Sequence, residues 1–455
     1  MFNKVLVANR GAVASRVIRA LRQMGIRSVA VYSEADRELP YVAQADEAYA
    51  IGPADARASY LNQDTILAVL QRSGADALHP GYGFLSEHFA FASEVQRRGA
   101  VFIGPSPRWI EAMGHKTRAR ELMARHGAPM CPSTDVLRGT PERMLAQASS
   151  IGFPVLVKPA GGGGGIGMLA AHDAAQLAKA IEQARSMALR SFANAELYVE
   201  RLCERPRHIE FQILADRHGA VRHLFERDCS IQRRHQKVLE ESPAPLLPRA
   251  LLDATAERFT QILAELRYDV IGTVESLYEE ALGFSFLEMN TRLQVEHAVT
   301  EQITGVDLVQ AQIRLAAGEA LGQVISEDPV VQGHAIEARI YAEDPVRFFP
   351  SPGRLTHFVP PTGAGIRVES AYAAGNQVTP HYDPMLAKVI AHAPTREQAI
   401  HKLADALCAF EVQGVKTNIP FVQRILDFDG FVAGRVHTGQ AQDVLHFHRS
   451  KETLP

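Results

Sequence analysis

The stretch FLEMNTRLQVEH, residues 286–297, holds the densest chemistry in the chain. Glu288 and Asn290 lie two apart on an expected strand, so both side chains project from one face. Glu275 falls on the preceding strand of the same expected hairpin, whose tip lies near Glu279–Gly283, and it can converge with them. Two carboxylates and an amide oxygen are hard ligands suited to Mg²⁺, which otherwise keeps waters and nucleotide phosphates. Immediately downstream come Arg292, Gln294, Glu296 and His297. An arginine beside a glutamate can hold a small oxyanion while the glutamate removes its proton. A second cluster, ERDCSIQRRHQKVLEESPAP, sets Arg227, Arg233, Arg234, His235 and Lys237 within eleven residues. Alone, such a run is a solvated face, and so is a single glutamate in a hairpin. A carboxylate trio near a phosphate loop is neither.

That loop is KPAGGGGGIGM, Lys158 to Met168. Glycine loses more backbone freedom on folding than any other residue, so five in a row need a reason. Gly162, Gly164 and Gly167 satisfy G-x-G-x-x-G, but the dinucleotide fingerprint must open a helix, and here MLAA reads as a second strand. The G-K-[ST] ending of a Walker loop is missing. What remains is a β-hairpin flap whose N–H groups fold over a triphosphate, with Lys158 at the end of the entering strand to meet phosphate oxygens.

The elements that must position these groups follow from periodicity. KVLVANRGAVASRVIRALRQMGIRSVAVY reads as strand, turn, helix, strand, with Val13, Val17, Leu21 and Met24 at helical spacing and Gly25 at the helix end. ADALHPGYGFLSEHFAFASEVQRRGAVFIGPS repeats the pattern, which implies a parallel, doubly wound sheet over residues 1–113. Ligands meet such sheets beyond the carboxyl ends of the strands, which favours Asn9–Gly11 and Gly81–Gly83. After Pro132 the style changes. FPVLVKPA is a strand, Asp173 opens a helix with Leu177, Ile181 and Ala184 on one face, and HIEFQILAD and VRHLFER alternate as neighbouring strands. A third region begins near residue 326. The 455 residues carry a net charge of −3 with no basic block, which excludes nucleic acid and anionic membrane as partners. No run approaches the ~18 apolar residues of a membrane span. The cysteines Cys131, Cys203, Cys229 and Cys408 are scattered, which suggests neither a disulfide framework nor zinc, and the start of the chain has no export-signal pattern. A cytoplasmic protein is expected.

VANRG, HPGYGFLSE, FIGPS, ERDCSIQRRHQKVLEESPAP, EMNTRLQVEH, TEQITGVDLV, EARIYAEDP and GVKTNIP, in this order, resemble the biotin carboxylase family of ATP-grasp enzymes, the ATP-using part of acyl-CoA carboxylases. The resemblance covers nearly the whole chain. It implies three parts: a Rossmann-like N-terminal domain (1–113), an ATP-grasp domain (114–325) with a mobile lid at about 132–203, and a mixed α/β C-terminal domain (326–455). It implies that Lys116, Lys158, Glu200, His208, Gln232 and His235 contact ATP, with Gly163, Gly164 and Gly165 closing over the phosphates. Glu275 and Glu288 correspond to carboxylates for Mg²⁺ or Mn²⁺, assisted by Asn290. Arg292, Gln294, Val295 and Lys237 match a bicarbonate site, and Glu296 the base that deprotonates bicarbonate for attack on the γ-phosphate, giving carboxyphosphate. Arg339 matches the residue that stabilises the biotin enolate, and Tyr82 borders the biotin pocket.

Where family members often carry Arg or Lys, Glu, Asn, Asp, Lys and Pro, this chain has Ile166, Ala12, His88, His115, Arg201 and Ala298. The missing flap cation at Ile166 predicts weaker flap closure or ATP affinity unless backbone amides compensate. No Met-Lys-Met biotinylation motif occurs, so biotin is expected on a separate biotin carboxyl carrier protein, with the carboxyltransferase on another chain and a homodimer implied by resemblance. Two rivals are a related enzyme serving another acceptor such as urea, and a nucleotide-binding regulatory module without turnover. His235 favours the acyl-CoA type over the urea type, and the presence of Glu296 and Arg339 speaks against the regulatory module.

Overall fold

The structure, a computed structural model, describes residues 1–160, 167–192, 195–325 and 328–452. Strands β1 (Lys4–Val7), β2 (Arg27–Tyr32), β3 (Glu47–Ala50), β4 (Ala77–His79) and β5 (Val101–Phe102) form a parallel sheet in the order β3-β2-β1-β4-β5. The helix Gly11–Gln23 follows β1 and buries Val13, Val17 and Leu21. Met24 caps its end and Gly25 turns away at φ +71°, which glycine adopts without strain. This is the doubly wound sheet that the repeated strand–helix pattern requires. Asn9 and Gly81 meet beyond its carboxyl edge: a Cβ on Gly81 would stand 2.8 Å from the Asn9 amide nitrogen, so glycine is needed there.

A second, three-stranded antiparallel sheet has β6 (Val155–Pro159) between β7 (Leu169–Ala171) and β8 (Leu197–Arg201). The helix Ala174–Phe192 lays Leu177, Ile181 and Ala184 on Val155, Val157 and Val199. Gly161–Ile166 lies outside the described residues.

The largest sheet is antiparallel and eight-stranded. It runs β13 (Gly283–Asn290), β12 (Val270–Glu279), β9 (Arg207–Ala215), β10 (Val221–Arg233), β11 (Gln236–Ser242), β14 (His334–Tyr341), then strands Met385–Ala393 and Ile366–Ser370. It is continuous across residue 326, because β14 pairs with β11. The alternation in HIEFQILAD is present, but all nine residues of β9 are buried. Ile209, Phe211 and Ile213 face the core under the helix Arg249–Glu265. His208, Glu210 and Gln212 face the other way and are equally enclosed. A polar strand face that is buried must be paired, and this one floors the candidate site.

Candidate active site

The β12–β13 register sets Glu275 directly opposite Glu288 and Thr273 opposite Asn290, so the expected trio does share one face. Glu275 is buried, and its Oε1 accepts from Asn290 Nδ2 at 2.9 Å, Gln294 Nε2 at 3.3 Å and Lys237 Nζ at 2.9 Å. Glu288 is partly exposed and pairs with Lys116 at 2.8 Å. Among the described residues, the groups whose donor atoms approach one another closely enough to share an ion are His208–Glu210–Glu275 and Glu210–Cys229–Glu296. Glu288 belongs to neither. The donors are nevertheless hard oxygens on adjacent strands, and the carboxylates of Glu275 and Glu288 together suit a divalent cation such as Mg²⁺.

Lys237, on β11, is the hub. Its ammonium reaches Glu210 at 2.6 Å, Glu275 at 2.9 Å and Glu296 at 2.6 Å. Glu296 stands at the N-terminus of the helix His297–Thr304, and its second oxygen meets Arg339 of β14 at 3.0 Å. Burial alone would push Glu275 and Glu296 up. Burial is the largest single influence, but Lys237 and His208 together outweigh it at Glu275, and Lys237, Arg339 and Arg227 together at Glu296, so both carboxyls are held well below the usual range. Glu296 is therefore ionised at neutral pH and ready to accept a proton. Arg339 also grips Glu240 at 2.5 Å, where burial pushes the carboxyl up to about 8 against the pull of Arg339.

Arg292 joins two sheets. Its Nη2 donates to Asn290 Oδ1 at 2.9 Å, its Nη1 to Gln294 Oε1 at 3.1 Å, and its Nε to Glu87 at 2.8 Å in the loop after β4. Lys388, itself fully buried, donates to the Val295 carbonyl and lies 3.3 Å from Glu337. Tyr82 is tied to the same edge through its carbonyl, which accepts from Asn9 at 2.8 Å. Its phenol is raised above the ordinary value by burial, with the Glu337 charge adding to the rise.

Among the residues expected at the nucleotide, Lys158 of β6 pairs with Glu200 of β8, and Arg120 joins the same carboxylate at 2.9 Å. His208 Nδ1 and Gln232 Nε2 are 2.7 Å apart. His208 Nε2 approaches Glu275 at 3.0 Å but forms no aligned hydrogen bond there. His235 stands apart, exposed in the turn between β10 and β11 at φ +65°, with no hydrogen bond or ion pair to any described residue. Gly163, Gly164, Gly165 and Ile166 lie outside the described residues. Arg201 points its guanidinium at the Phe153 carbonyl. His88 caps the helix Phe89–Arg97 through Nδ1, as Asn would.

Sequence reasoning missed several groups. Glu210, Glu240, Glu337 and Lys388 were passed over because they sit inside strands, and Arg227 was noted only as one member of a basic cluster. A charge amid apolar strand residues, as Glu210 in HIEFQ, is the signal that finds them. Arg227 is fully buried, bonded to Glu210 at 2.5 Å, Gln212 at 2.8 Å and Thr300 at 2.9 Å.

The chain matches three family models in succession: Biotin carboxylase, N-terminal domain over residues 1–110; Carbamoyl-phosphate synthase L chain, ATP binding domain over 115–324; and Biotin carboxylase C-terminal domain over 337–442. It is 49% identical to a biotin carboxylase of Halalkalibacterium halodurans, covering 96% of this chain and 97% of that one. It is 46% identical to a pyruvate carboxylase subunit of Methanothermobacter thermautotrophicus, covering 96% and 89%. Among solved structures, the biotin carboxylase–β-γ-ATP complex from Campylobacter jejuni superposes with a TM-score of 0.92 at 40% identity, covering 96% of this chain and 98% of that one. The biotin carboxylase domain dimer of Hydrogenobacter thermophilus 2-oxoglutarate carboxylase, in complex with MgADP, ADP and bicarbonate, superposes at 0.90 with 43% identity, covering 98% and 99%. With every segment matched in order and the identity sustained over the full length, this chain belongs to the biotin carboxylase family.

Proposed function

We propose that this chain carboxylates biotin with ATP and bicarbonate, and that Glu296 is the base of the first step. The observation that carries the reading is the position of Glu296, ionised and shared between Lys237 and Arg339. A carboxylate so held has its proton site empty, and it lies near the cations that would bind bicarbonate. Arg292, already forked toward Gln294 and Asn290, has the planar donor set that an oxyanion needs. Bicarbonate bound by Arg292, Gln294, Lys237 and the Val295 backbone gives its proton to Glu296 and attacks the γ-phosphate.

Lys116, Lys158, Glu200, His208 and Gln232 orient the nucleotide. Glu275 and Glu288, with Asn290 beside them, would hold Mg²⁺, which would supply neutralisation of the phosphate charge. The pairings of Lys116 with Glu288 and Lys158 with Glu200 are the contacts that nucleotide binding exchanges for phosphate. His235, exposed, joins the nucleotide only if its turn moves. Arg339, whose pKa is raised and which stays cationic, stabilises the biotin enolate, while Glu240 and Glu296 fix its two ends. Tyr82 borders the biotin.

The division into a Rossmann-like part (1–113), an ATP-grasp part (114–325) with a lid near 132–203, and a C-terminal part (326–455) belongs to the same reading. So do a separate carrier protein, a carboxyltransferase on another chain, a homodimer and a cytoplasmic setting. In support, one relative is a named component of pyruvate carboxylase, one structure is a domain dimer, and no described helix is long and apolar enough to cross a membrane. ADP release measured with ATP and bicarbonate, with and without free biotin, tests this reading: release must require bicarbonate and rise with biotin.

A further inference from the structure

The loop after β4, residues 80–88, is held with more restraint than a connection needs. Asn9 Nδ2 donates to the Pro80 carbonyl at 2.6 Å and to the Tyr82 carbonyl at 2.8 Å, and Gly81 N donates to His79 Nδ1 at 3.0 Å. Phe84 takes φ +43°, a left-handed backbone that is uncommon for a bulky residue. Its ring stacks on Tyr60 at 5.1 Å and meets Tyr382 edge-on at 6.4 Å, so packing holds the conformation in place. Ser86 N donates to the Gly83 carbonyl at 3.0 Å and His88 N to the Leu85 carbonyl at 3.2 Å, closing the turn that carries Glu87. Strain that the surroundings sustain in this way is found where a segment has a group to present.

Glu87 is that group. Its Oε1 accepts from Thr291 N at 3.1 Å and its Oε2 from Arg292 Nε at 2.8 Å, across 204 and 205 residues of chain. The side chains are 36% exposed for Glu87 and 18% for Arg292, so solvent screens their attraction and the pair adds little stability. Its effect is on direction. A guanidinium has five N–H groups. In Arg292, Nε goes to Glu87, Nη1 to the Leu293 carbonyl at 3.2 Å and Gln294 Oε1 at 3.1 Å, and Nη2 to Asn290 Oδ1 at 2.9 Å. One N–H, on Nη2, is left without an acceptor among the described residues. With Glu87 gone, both Nε and the Thr291 amide lose their acceptor, and the long arginine side chain is free to turn away.

We propose that Glu87 is a positioning residue for bicarbonate: the strained loop holds its carboxylate against Arg292 Nε and Thr291 N, and so aims the free Nη2 hydrogen of Arg292 at the anion. This rests on the function proposed above, in which Arg292 binds bicarbonate. Glu87 touches neither substrate and acts only by fixing the guanidinium, whose planar donor set is useful when its orientation is set in advance. The same loop carries Tyr82, which borders biotin in that reading, so one rigid segment of the parallel sheet's carboxyl edge serves both the anion and its acceptor.

The test is steady-state ADP release, titrated with bicarbonate and separately with ATP, for wild type, Glu87→Ala and the isosteric Glu87→Gln. In Glu87→Ala the KM for bicarbonate should rise by about tenfold, the worth of one hydrogen bond to a charged group, while the KM for ATP stays unchanged. Glu87→Gln keeps one acceptor oxygen and should fall between the two. In an Arg292→Ala background, Glu87→Ala should add nothing to the KM for bicarbonate, because it acts through that side chain alone. A loosened loop would instead raise the KM for ATP as well and would add to Arg292→Ala. Either of those results, or a KM for bicarbonate unchanged in both Glu87 variants, overturns the proposal. Wild-type hydrolysis that ignores bicarbonate overturns the proposed function and this inference with it, so the wild-type titration tells the two failures apart.

Discussion

Lys237→Met removes the cation on which the charge balance of the site depends. The ammonium lies 2.6, 2.9 and 2.6 Å from Glu210, Glu275 and Glu296, and each of these carboxylates is nearly inaccessible. Removing one partner of a buried ion pair costs about 3–5 kcal/mol, because the charge left behind is uncompensated. The pH dependence gives a sharper test. Glu275 and Glu296 are depressed in the folded protein, so each contributes stability above its unfolded pKa of about 4.3, and loses it as pH falls through the folded value. Without Lys237, burial dominates and moves them above that reference, so each then destabilises the fold as pH rises. The gap between wild type and variant must widen from about pH 4.5 to pH 8. Denaturant unfolding followed by circular dichroism across that range measures it. A pH-independent gap, or one below about 1 kcal/mol, the value of an exposed pair, refutes the reasoning.

Glu296→Gln should lower bicarbonate-dependent ATPase by about 10²–10⁴-fold, the contribution of a general base, while calorimetry finds nucleotide affinity preserved. Glu288→Ala should abolish Mg²⁺-dependent turnover and weaken Mg-ADP binding; unchanged calorimetric affinity and turnover would remove Glu288 from the metal site. Arg339→Lys keeps a cation but cannot hold Glu240 and Glu296 with separate nitrogens, so biotin-stimulated ADP release should fall more than the bicarbonate-dependent background. Glu241 is held at about 2 by His334 and Arg396 despite burial. Relative to the ordinary 4.5, that depression is worth about 3 kcal/mol. Glu241→Gln should forfeit it at neutral pH, and the difference from wild type should close as pH falls from 4.5 toward 2.

Local signals in the sequence located the hairpin well. The turn near Gly283 and the alternating residues on either side set Glu275 against Glu288, and the structure has that register. The parallel sheet was legible for the same reason, since each strand, helix and turn carries its own signature within thirty or so residues. What could not be read locally is which distant strands meet. Lys237 and Glu296 are 59 residues apart, and Arg339 a further 43 beyond Glu296. They converge only because β14 pairs with β11 at the centre of the large sheet. Resemblance supplied those roles where spacing could not. Glu240 and Lys388 had no such aid, because they orient other groups, Arg339 and the Val295 carbonyl, and that need exists only once the sheet has closed around them. For β9, the alternation was correct but its polar face was buried rather than wet. A strand pattern alone does not distinguish water from a charged cavity.

The proposed function has bicarbonate activated at Glu296 and ATP consumed so that biotin can be carboxylated. Incubating the purified chain with labelled bicarbonate, Mg-ATP and free biotin, and following acid-labile carboxybiotin together with ADP, puts that sequence of events to the proof. Label should appear on biotin in step with biotin-stimulated ADP release, and both should be lost in Glu296→Gln. ATP hydrolysis indifferent to bicarbonate and biotin, with no label transferred, would contradict it.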